Sequence, residues 1–416
     1  MNILYLCDEY PPGLHGGIGT YVRLIARQMV KLGHKVIVAG LYSRGYGGAD
    51  EFEDEGVKVL RYRWSIDDKW FENQRSAGVR MLNRILLDTG ITQRDIKRSL
   101  AAYQKKLEHI IADEQINIIE MPDYNDYIRF CKSYVPFPTL PVPVVVKLNG
   151  SITYFNAEAG IPIAPHVLKM ERDILNRAAA VSSASAYTAK KSADYLSYSK
   201  PITVLYNGID TNLAVGNSTP VDTKQVVFTG SLVQKKGIFQ LAEAWNIVIK
   251  QVPDARLLIL GKGPVNKVIT CLQKDAKSSV VFKGHVGRDE LYACLSNSAV
   301  AVFPSYAEAF ALAPLEAMAC GTAVINSNRT SGPELIDDGV NGLLVDPDNI
   351  EELASAIVTL LNEPEKRLRL ALAGNEKVKQ CFDIDIVARQ TLQFYQEILA
   401  RHHEQLKHLF SYTMKF

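Results

Sequence analysis

The sequence predicts an α/β protein made of two Rossmann-like, doubly wound domains in series. Two observations carry this prediction. Short, continuous apolar runs alternate with helical segments along nearly the whole chain, and these runs fall into two sets that each span roughly half of it. Apolar runs separated by helices are typical of parallel strands that helices cover on both faces. The length of 416 residues is also suited to two or three domains of ordinary size.

Each predicted strand is a short run rich in Val, Ile and Leu, bounded by polar residues, Gly or Pro. The first set comprises residues 2–7, 35–41, 57–61, 116–120 and 143–148. The second set comprises residues 225–229, 256–260, 279–283, 299–303, 322–326 and 342–345. Residues 206–222 have Asn-Gly and Gly-Asn pairs, a proline and little helical periodicity, which predicts a linker. We therefore predict an N-terminal domain (1–205), a linker (206–222), a C-terminal domain (223–385) and a terminal helix (386–416) that packs across to the N-terminal domain.

The composition excludes several classes of protein. The chain has 47 Lys and Arg against 45 Asp and Glu, a net charge of +2, whereas a general nucleic-acid binder carries a larger basic excess. No apolar run approaches the roughly 18 residues of a membrane helix, and the N-terminal apolar stretch is too short for a signal peptide. The six cysteines are scattered without a CxxC pair, which indicates reduced thiols. We expect a cytoplasmic protein.

A glycine-rich segment follows the first predicted strand. Gly16, Gly17 and Gly19 directly precede an amphipathic helix, where backbone N–H groups and the helix N-terminus favour an anion. The segment is interpreted either as a phosphate site or as a tight strand-to-helix connection. A nicotinamide or flavin site is disfavoured, because the loop is long and no acidic residue follows the second strand.

The most specific signal lies at residues 304–321, PSYAEAFALAPLEAMACG. Glu308 and Glu316 are separated by seven residues, directly after a buried strand. We expect a helix that begins near Leu312, with Glu308 in the loop before it and Glu316 one turn inside. The helix N-terminus suits a diphosphate, and the two carboxylates are then placed for sugar hydroxyls.

These residues resemble a known family. The stretch 304–321 resembles the E-x7-E motif of the retaining glycosyltransferases with the GT-B fold, in the large group called family 4. Other segments are similar to that family's motifs in the same chain order: the glycine loop 16–19, the segment 204–210, the Lys-Gly loop 228–237 and the glycine loop 261–264. The resemblance covers essentially the whole chain. It implies a GT-B fold, in which the two domains face a cleft.

The resemblance also implies roles for individual residues. Glu316 is expected to bind ribose hydroxyls of a nucleotide sugar, Glu308 to contact the donor sugar, and Lys236 to neutralise the diphosphate. Asn149 takes the position of a residue that contacts the sugar near its anomeric centre. The nucleobase is expected near 261–264 and 284–286. The further donor-binding residues that it implies are Gly16, Gly17, Gly19, Ser231, Lys235, Gly263, Val286, Phe310, Ala311 and Leu312.

The chain departs from the family pattern at three places. Ser231 stands where an arginine is usual, and Lys235 is a candidate substitute, although lysine lacks the arginine fork. Ala309 and Ala311 replace glycines, which is a small steric change. Asn149 stands where many relatives have histidine, and an amide forms hydrogen bonds but cannot be protonated.

The implied reaction is hexosyl transfer with retention, by same-face attack in which the departing diphosphate takes the acceptor proton. We find no obvious carboxylate nucleophile of the kind that retaining hydrolases use. Asp123 and Tyr124, which we expect on an exposed loop after a strand, are candidate acceptor contacts. We expect no metal and no cofactor beyond the nucleotide-sugar substrate, with UDP-glucose or a related UDP-sugar as donor.

The acceptor is expected to be a saccharide or a lipid-linked saccharide. Residues 75–106 carry eight basic and two acidic residues, and a helix there has apolar residues on one face. A buried helix with a solvated basic side is favoured, and weak peripheral contact of 75–111 with the inner face of the cell membrane is the alternative. The alternatives for the whole chain are an idle sugar-nucleotide-binding protein and an inverting GT-B transferase or epimerase.

Overall fold

The computed structural model describes residues 1–13, 15–43, 46–64, 89–214 and 221–413. The chain divides into two compact units, one formed by Met1–Tyr206 with Val387–Phe416 and the other by Asn207–Ile386. Each unit contains one sheet of predominantly parallel strands with helices between them. The predicted α/β class with two parallel-sheet domains is confirmed. The segment that we expected to be a linker, 206–222, is grouped almost entirely with the second unit.

The first unit has an eight-stranded sheet. Its strands are β1 (Asn2–Leu6), β2 (Lys35–Tyr42), β3 (Glu51–Asp54), β4 (Val57–Arg63), β5 (Ile118–Pro122), β6 (Val144–Leu148), β7 (Ala180–Ser183) and β8 (Ile202–Val204). Its helices include α1 (Gly17–Lys31), α2 (Ile91–Asp113), α3 (Ile152–Glu158), α4 (Pro165–Arg177) and α5 (Ala186–Leu196).

The strand order of this sheet is β3-β4-β2-β1-β5-β6-β7-β8, and only β3 pairs antiparallel. The order therefore reverses between β1 and β5. Loops that follow the two strands at such a switch point leave a crevice at the carboxyl edge of the sheet, where open α/β sheets bind ligands. The loop Asp8–Gly16 and the loop that begins at Asp123 occupy these two positions.

The helix α2 overlaps residues 75–111, for which weak contact with the membrane surface was the alternative prediction. Its residues Ile96, Leu100, Tyr103 and Leu107 are at most 5% exposed and belong to the core of the first unit. Because this apolar face packs inside the protein, it is not available for insertion into a bilayer. Residues 75–88 lie outside the described residues. Of the helices that the structure describes, none is long and apolar enough to span a membrane.

The second unit has a six-stranded, wholly parallel sheet. Its strands are β9 (Asp222–Thr229), β10 (Arg256–Leu260), β11 (Val280–Gly284), β12 (Ser298–Phe303), β13 (Ala323–Ser327) and β14 (Leu343–Val345). Its helices are α6 (Ile238–Gln251), α7 (Val265–Thr270), α8 (Lys274–Lys277), α9 (Arg288–Ser296), α10 (Leu312–Ala319), α11 (Gly332–Leu335), α12 (Ile350–Asn362) and α13 (Pro364–Cys381).

The strand order β11-β10-β9-β12-β13-β14 is that of a Rossmann sheet, with its switch point between β9 and β12. The core around this sheet is mainly apolar, and Trp245 of α6 is fully buried in it. The two loops that flank the switch point are the one after β9, which contains Lys236, and the one after β12, which contains Glu308. The topology therefore brings these two parts of the sequence together.

The last helix, α14 (Ile384–Thr413), belongs to the first unit from Val387 onward. Tyr395 of this helix is fully buried, and its hydroxyl donates to Oε2 of Glu120 at 2.7 Å. Tyr21 of α1 donates to the other carboxylate oxygen at 3.1 Å. Burial raises the pKa of Glu120, and the nearby Lys147 ammonium acts in the opposite direction. This hydrogen-bonded cluster holds the terminal helix on the first sheet.

Candidate active site

The loop after β12 leads into α10 without a side-chain cap. The helix begins at Leu312, as the sequence predicts, and the residue before it is Ala311, whose methyl group cannot accept a hydrogen bond. The first N–H groups of a helix have no partner within the helix. The N–H groups of Leu312 and Ala313 are therefore aligned at the positive end of the helix dipole, where an anion is favoured.

Glu308 of this loop forms an ion pair with Lys236, which lies in the loop after β9. The Lys236 side chain is 27% exposed and that of Glu308 is 15% exposed, so that the pair is largely shielded from water. The N–H of Tyr306 also donates to the carbonyl of Lys235 at 2.8 Å, which ties the two loops together through the backbone. The structure thus brings together two of the three predicted catalytic side chains.

Gly237 allows the Lys236 loop to take this position. It has a φ of +68°, and a Cβ atom there would lie 1.8 Å from the carbonyl oxygen of Pro304. Any other residue would strain the backbone and separate the loop from the end of β12. The Lys-Gly sequence is therefore explained by close packing at the switch point.

Glu316 lies in α10, on the fifth residue of the helix, and is partly buried. Burial raises the pKa of its carboxyl, and the Arg288 guanidinium on α9 acts in the opposite direction. Arg288 also donates to the hydroxyl of Tyr292 at 3.2 Å. No local pattern in the sequence marks Arg288 or Tyr292, because both lie on a helix next to the one that carries Glu316.

Two further loops, which follow β10 and β11, adjoin the loop after β9 at the same edge of the sheet. Gly230 donates to the carbonyl of Leu260 at 2.9 Å, and Gly261 donates to the carbonyl of Gly284 at 2.7 Å. The predicted donor-binding residues on these loops are Ser231 and Gly263, which are exposed, and Val286, which is partly buried. The structure therefore places Ser231, Gly263 and Val286 on adjoining loops of one unit.

In the first unit, the glycine-rich segment is already engaged by the side chain of Glu9. Gly17 and Gly19 lie in the first turn of α1 rather than before the helix, where the sequence predicts them. Oε1 of Glu9 accepts a hydrogen bond from the N–H of Gly19 at 2.7 Å, and the same carboxyl interacts with the N–H of Gly16. A Cβ atom on Gly19 would lie 2.1 Å from the carbonyl oxygen of Glu9, whereas one on Gly17 would meet open space. Gly19 thus has a packing role, and its N–H is occupied by a carboxylate.

Asn149 and Asp123 lie at the ends of β6 and β5, respectively, and contact one another. The N–H of Asn149 donates to Oδ1 of Asp123 at 2.8 Å, and the Asn149 side chain donates to the carbonyl of Lys147 at 3.3 Å. The expectation that Asp123 is exposed is wrong, because it is only 3% exposed and accepts backbone hydrogen bonds. Burial raises its pKa to about 7. Tyr124, the other acceptor candidate, is partly buried.

The described part of the chain offers no metal centre. No group of three or more His, Cys, Asp or Glu side chains within it is arranged to hold a metal ion. The charged groups at the carboxyl edge of the second sheet include a shielded Lys–Glu pair and a second carboxylate, beside an uncapped helix N-terminus. This combination is suited to a phosphate-bearing ligand with hydroxyl groups.

Comparison with known proteins finds relatives over nearly the whole chain. Residues 15–213 match the family model described as Glycosyltransferase Family 4, and residues 211–377 match the model described as Glycosyl transferases group 1. The chain is 24% identical to a glycogen synthase of Mycobacterium tuberculosis over 418 aligned residues, which covers 95% of this chain and 94% of that protein.

Solved structures agree in fold over the same extent. Sucrose-phosphate synthase from Thermosynechococcus elongatus superposes with a TM-score of 0.73 at 20% identity, covering 96% of this chain and 99% of that one. Anabaena HepE in complex with UDP-glucose superposes with a TM-score of 0.64 at 18% identity, covering 95% and 100%. The two family models and these folds show that the chain belongs to the family 4 glycosyltransferases with the GT-B fold, enzymes that use a nucleotide-sugar donor.

Proposed function

We propose that this protein is a retaining, metal-independent hexosyltransferase that uses UDP-glucose or a related UDP-sugar. Its acceptor in this proposal is a saccharide or a lipid-linked saccharide, in the synthesis of a polysaccharide or glycoconjugate. The observation that carries the proposal is the Lys236–Glu308 pair beside the uncapped N-terminus of α10, with Glu316 in the same helix. The choice of donor is supported by HepE, which was solved with UDP-glucose, and by the names of the glycogen and sucrose-phosphate synthases.

The chemistry follows from where charge develops. The bond between the anomeric carbon and the diphosphate oxygen breaks, the acceptor hydroxyl attacks from the same face, and its proton passes to the departing diphosphate. Negative charge grows on the diphosphate as the bond breaks, so that Lys236 and the N–H groups of Leu312 and Ala313 stabilise the transition state more than the ground state.

Each carboxylate has a separate role in this proposal. Glu308 binds hydroxyls of the transferred sugar, and Glu316 binds the ribose hydroxyls. Asn149 contributes hydrogen bonds and no acid chemistry, because an amide is not protonated near neutral pH. Ser231, Gly263 and Val286 remain predicted contacts of the nucleotide on the second unit. The predicted contacts of the first unit are Gly16, Gly17, Asp123 and Tyr124.

The first experiment is thermal unfolding of the full chain with UDP, GDP, ADP and NAD, and with the corresponding sugar nucleotides. A ligand at a concentration 100 times its Kd stabilises the folded state by about 2.7 kcal/mol, which raises Tm by on the order of 5–10 °C for units of this size. We expect stabilisation by UDP, and more by one UDP-sugar. A response to NAD alone would contradict the proposal.

The second experiment determines the stereochemistry of the product. The donor that stabilises most is incubated with a panel of saccharide acceptors, and the anomeric configuration of the new glycosidic bond is determined by proton NMR. An α-linked product from an α-donor supports retention. A β-linked product would assign the chain to the inverting alternative, and donor binding without turnover on any acceptor would favour the idle binding protein.

A further inference from the structure

Two loops of the second unit lie in direct backbone contact. The N–H of Leu232 donates to the carbonyl of Lys262 at 2.8 Å. A Cβ atom on Gly261 would lie 1.9 Å from the carbonyl oxygen of Gly230, and one on Gly263 would lie 2.5 Å from the Cβ of Leu232. The glycines therefore allow the two loops to approach more closely than any other residue would permit. This approach holds Lys262 beside Ser231.

The charged side chains of the loops after β9 and β10 are all positive. Residues 230–237 and 260–264 contain three lysines, Lys235, Lys236 and Lys262, and no acidic residue. Lys236 is engaged by Glu308 from the loop after β12. Lys262 is exposed, and its ammonium forms no ion pair or hydrogen bond with any residue that the structure describes. The loops thus present a cation that none of the described residues neutralises.

A cation held in this way is suited to an anionic ligand at the carboxyl edge of the sheet. The loop after β9, on which Ser231 lies, flanks the switch point, and the Lys262 loop follows the adjacent strand β10. A serine at 231 supplies a hydroxyl donor but no charge. Lysine has a long and flexible side chain that binds phosphate as a point charge, so that it reaches a ligand from a neighbouring loop.

We propose that Lys262 is a donor-binding residue whose ammonium contacts the diphosphate of the nucleotide sugar from the loop after β10. This inference rests on the proposed function, since it requires a nucleotide diphosphate at this edge. It makes the Lys262 side chain a determinant of the affinity for the phosphates, and leaves the expected contact of the loop 261–264 with the nucleobase to main-chain groups.

The test is calorimetric titration of the full chain with uridine, UMP and UDP. We compare the unchanged protein with Lys262→Met, and Lys274→Met on α8 serves as a control that removes one exposed positive charge elsewhere in the unit. We expect Lys262→Met to lower the affinity for UDP about tenfold, as the loss of one charge-assisted contact does. The affinity for uridine should change by no more than about twofold. Lys262→Arg is expected to retain most of the UDP affinity.

Other outcomes overturn the inference in distinguishable ways. Equal weakening of uridine and UDP would assign Lys262 to the nucleoside, and an unchanged UDP affinity would remove it from the site. Equal losses in Lys262→Met and Lys274→Met would indicate a general effect of net charge. The unchanged protein reports separately on the proposed function: if it binds UDP, only the role of Lys262 is at issue, and if it binds no nucleotide diphosphate, both proposals fail.

Discussion

The Lys236–Glu308 pair leads to a prediction in which one substitution strengthens the binding of UDP and reduces the further gain in affinity that the sugar provides. In the structure Glu308 neutralises the lysine that the diphosphate is proposed to use. UDP must therefore displace this carboxylate or bind beside it. Replacing Glu308 by Gln keeps the shape of the side chain and removes its charge, which leaves Lys236 available to the diphosphate.

The magnitude follows from the burial of the pair. Unit charges 4 Å apart attract by about 4 kcal/mol at an effective dielectric constant of 20, and exposed pairs contribute roughly 0.2–1 kcal/mol. The side chains are 27% and 15% exposed, which places this pair between those limits. We take the attraction within the Lys236–Glu308 pair to be about 1–2 kcal/mol. Glu308→Gln should therefore bind UDP roughly 5- to 30-fold more tightly than the unchanged protein does.

The UDP-sugar responds differently, because Glu308 is also proposed to bind hydroxyls of the sugar. In Glu308→Gln the further gain in affinity from UDP to UDP-glucose should shrink, and turnover should fall by at least about tenfold. Calorimetry with both ligands and initial rates measure these quantities. The control is Asp254→Asn, which removes an exposed carboxylate that pairs with Lys224 at 3.9 Å ahead of β10. An unchanged or weaker UDP affinity in Glu308→Gln would refute the reasoning.

Three further predictions concern stability. Gly237→Ala should lower the free energy of unfolding by at least about 2 kcal/mol in urea titrations, because its φ is +68° and a carbonyl oxygen lies 1.8 Å from the new methyl group. Gly287→Ala, at a φ of −70° with open space around it, should lower the free energy of unfolding by less than about 1 kcal/mol, the cost of alanine at a helix N-cap. Asp123→Asn should raise Tm above pH 7 and not below pH 4. Burial raises the folded pKa of Asp123 from 3.8 to about 7, so that the unchanged protein loses stability as pH rises through this window, and a Tm gain equal at both pH values would contradict this. Tyr395→Phe should cost about 1–3 kcal/mol, because it removes a donor from the buried carboxylate of Glu120, and a loss under about 0.5 kcal/mol in urea unfolding would show that the bond is dispensable.

The strands show which parts of the fold are local properties of the sequence. Every apolar run predicted as a strand is one, because a short buried strand in a parallel sheet carries its signal in its own residues. Three strands were not predicted. β3, with the sequence EFED, is a polar antiparallel edge strand, and β7 and β8 have only four and three residues. Polar or short strands depend more on their neighbours than on their own residues, although the equally short β14, LLV, is marked by its apolar sequence.

The candidate active site also has some features that are local properties of the sequence and others that depend on distant residues. The glycines and the start of α10 at Leu312 were readable from the sequence, because backbone sterics and helix-terminus geometry act over a few residues. Glu308 and Glu316 were found through their spacing and a family resemblance. Neither route indicates which distant side chain contacts a given residue.

The sequence alone thus determined the α/β class, the two-domain organisation and the family to which the chain belongs. These are carried by periodicity and by motifs within short segments. The tertiary structure alone decided that Glu308 pairs with Lys236 across 72 residues, that Glu9 occupies the N–H of Gly19, and that Asp123 is buried. Charge pairing and desolvation depend on what surrounds a group in space, and the sheet topology sets those surroundings by joining loops that are far apart in the chain.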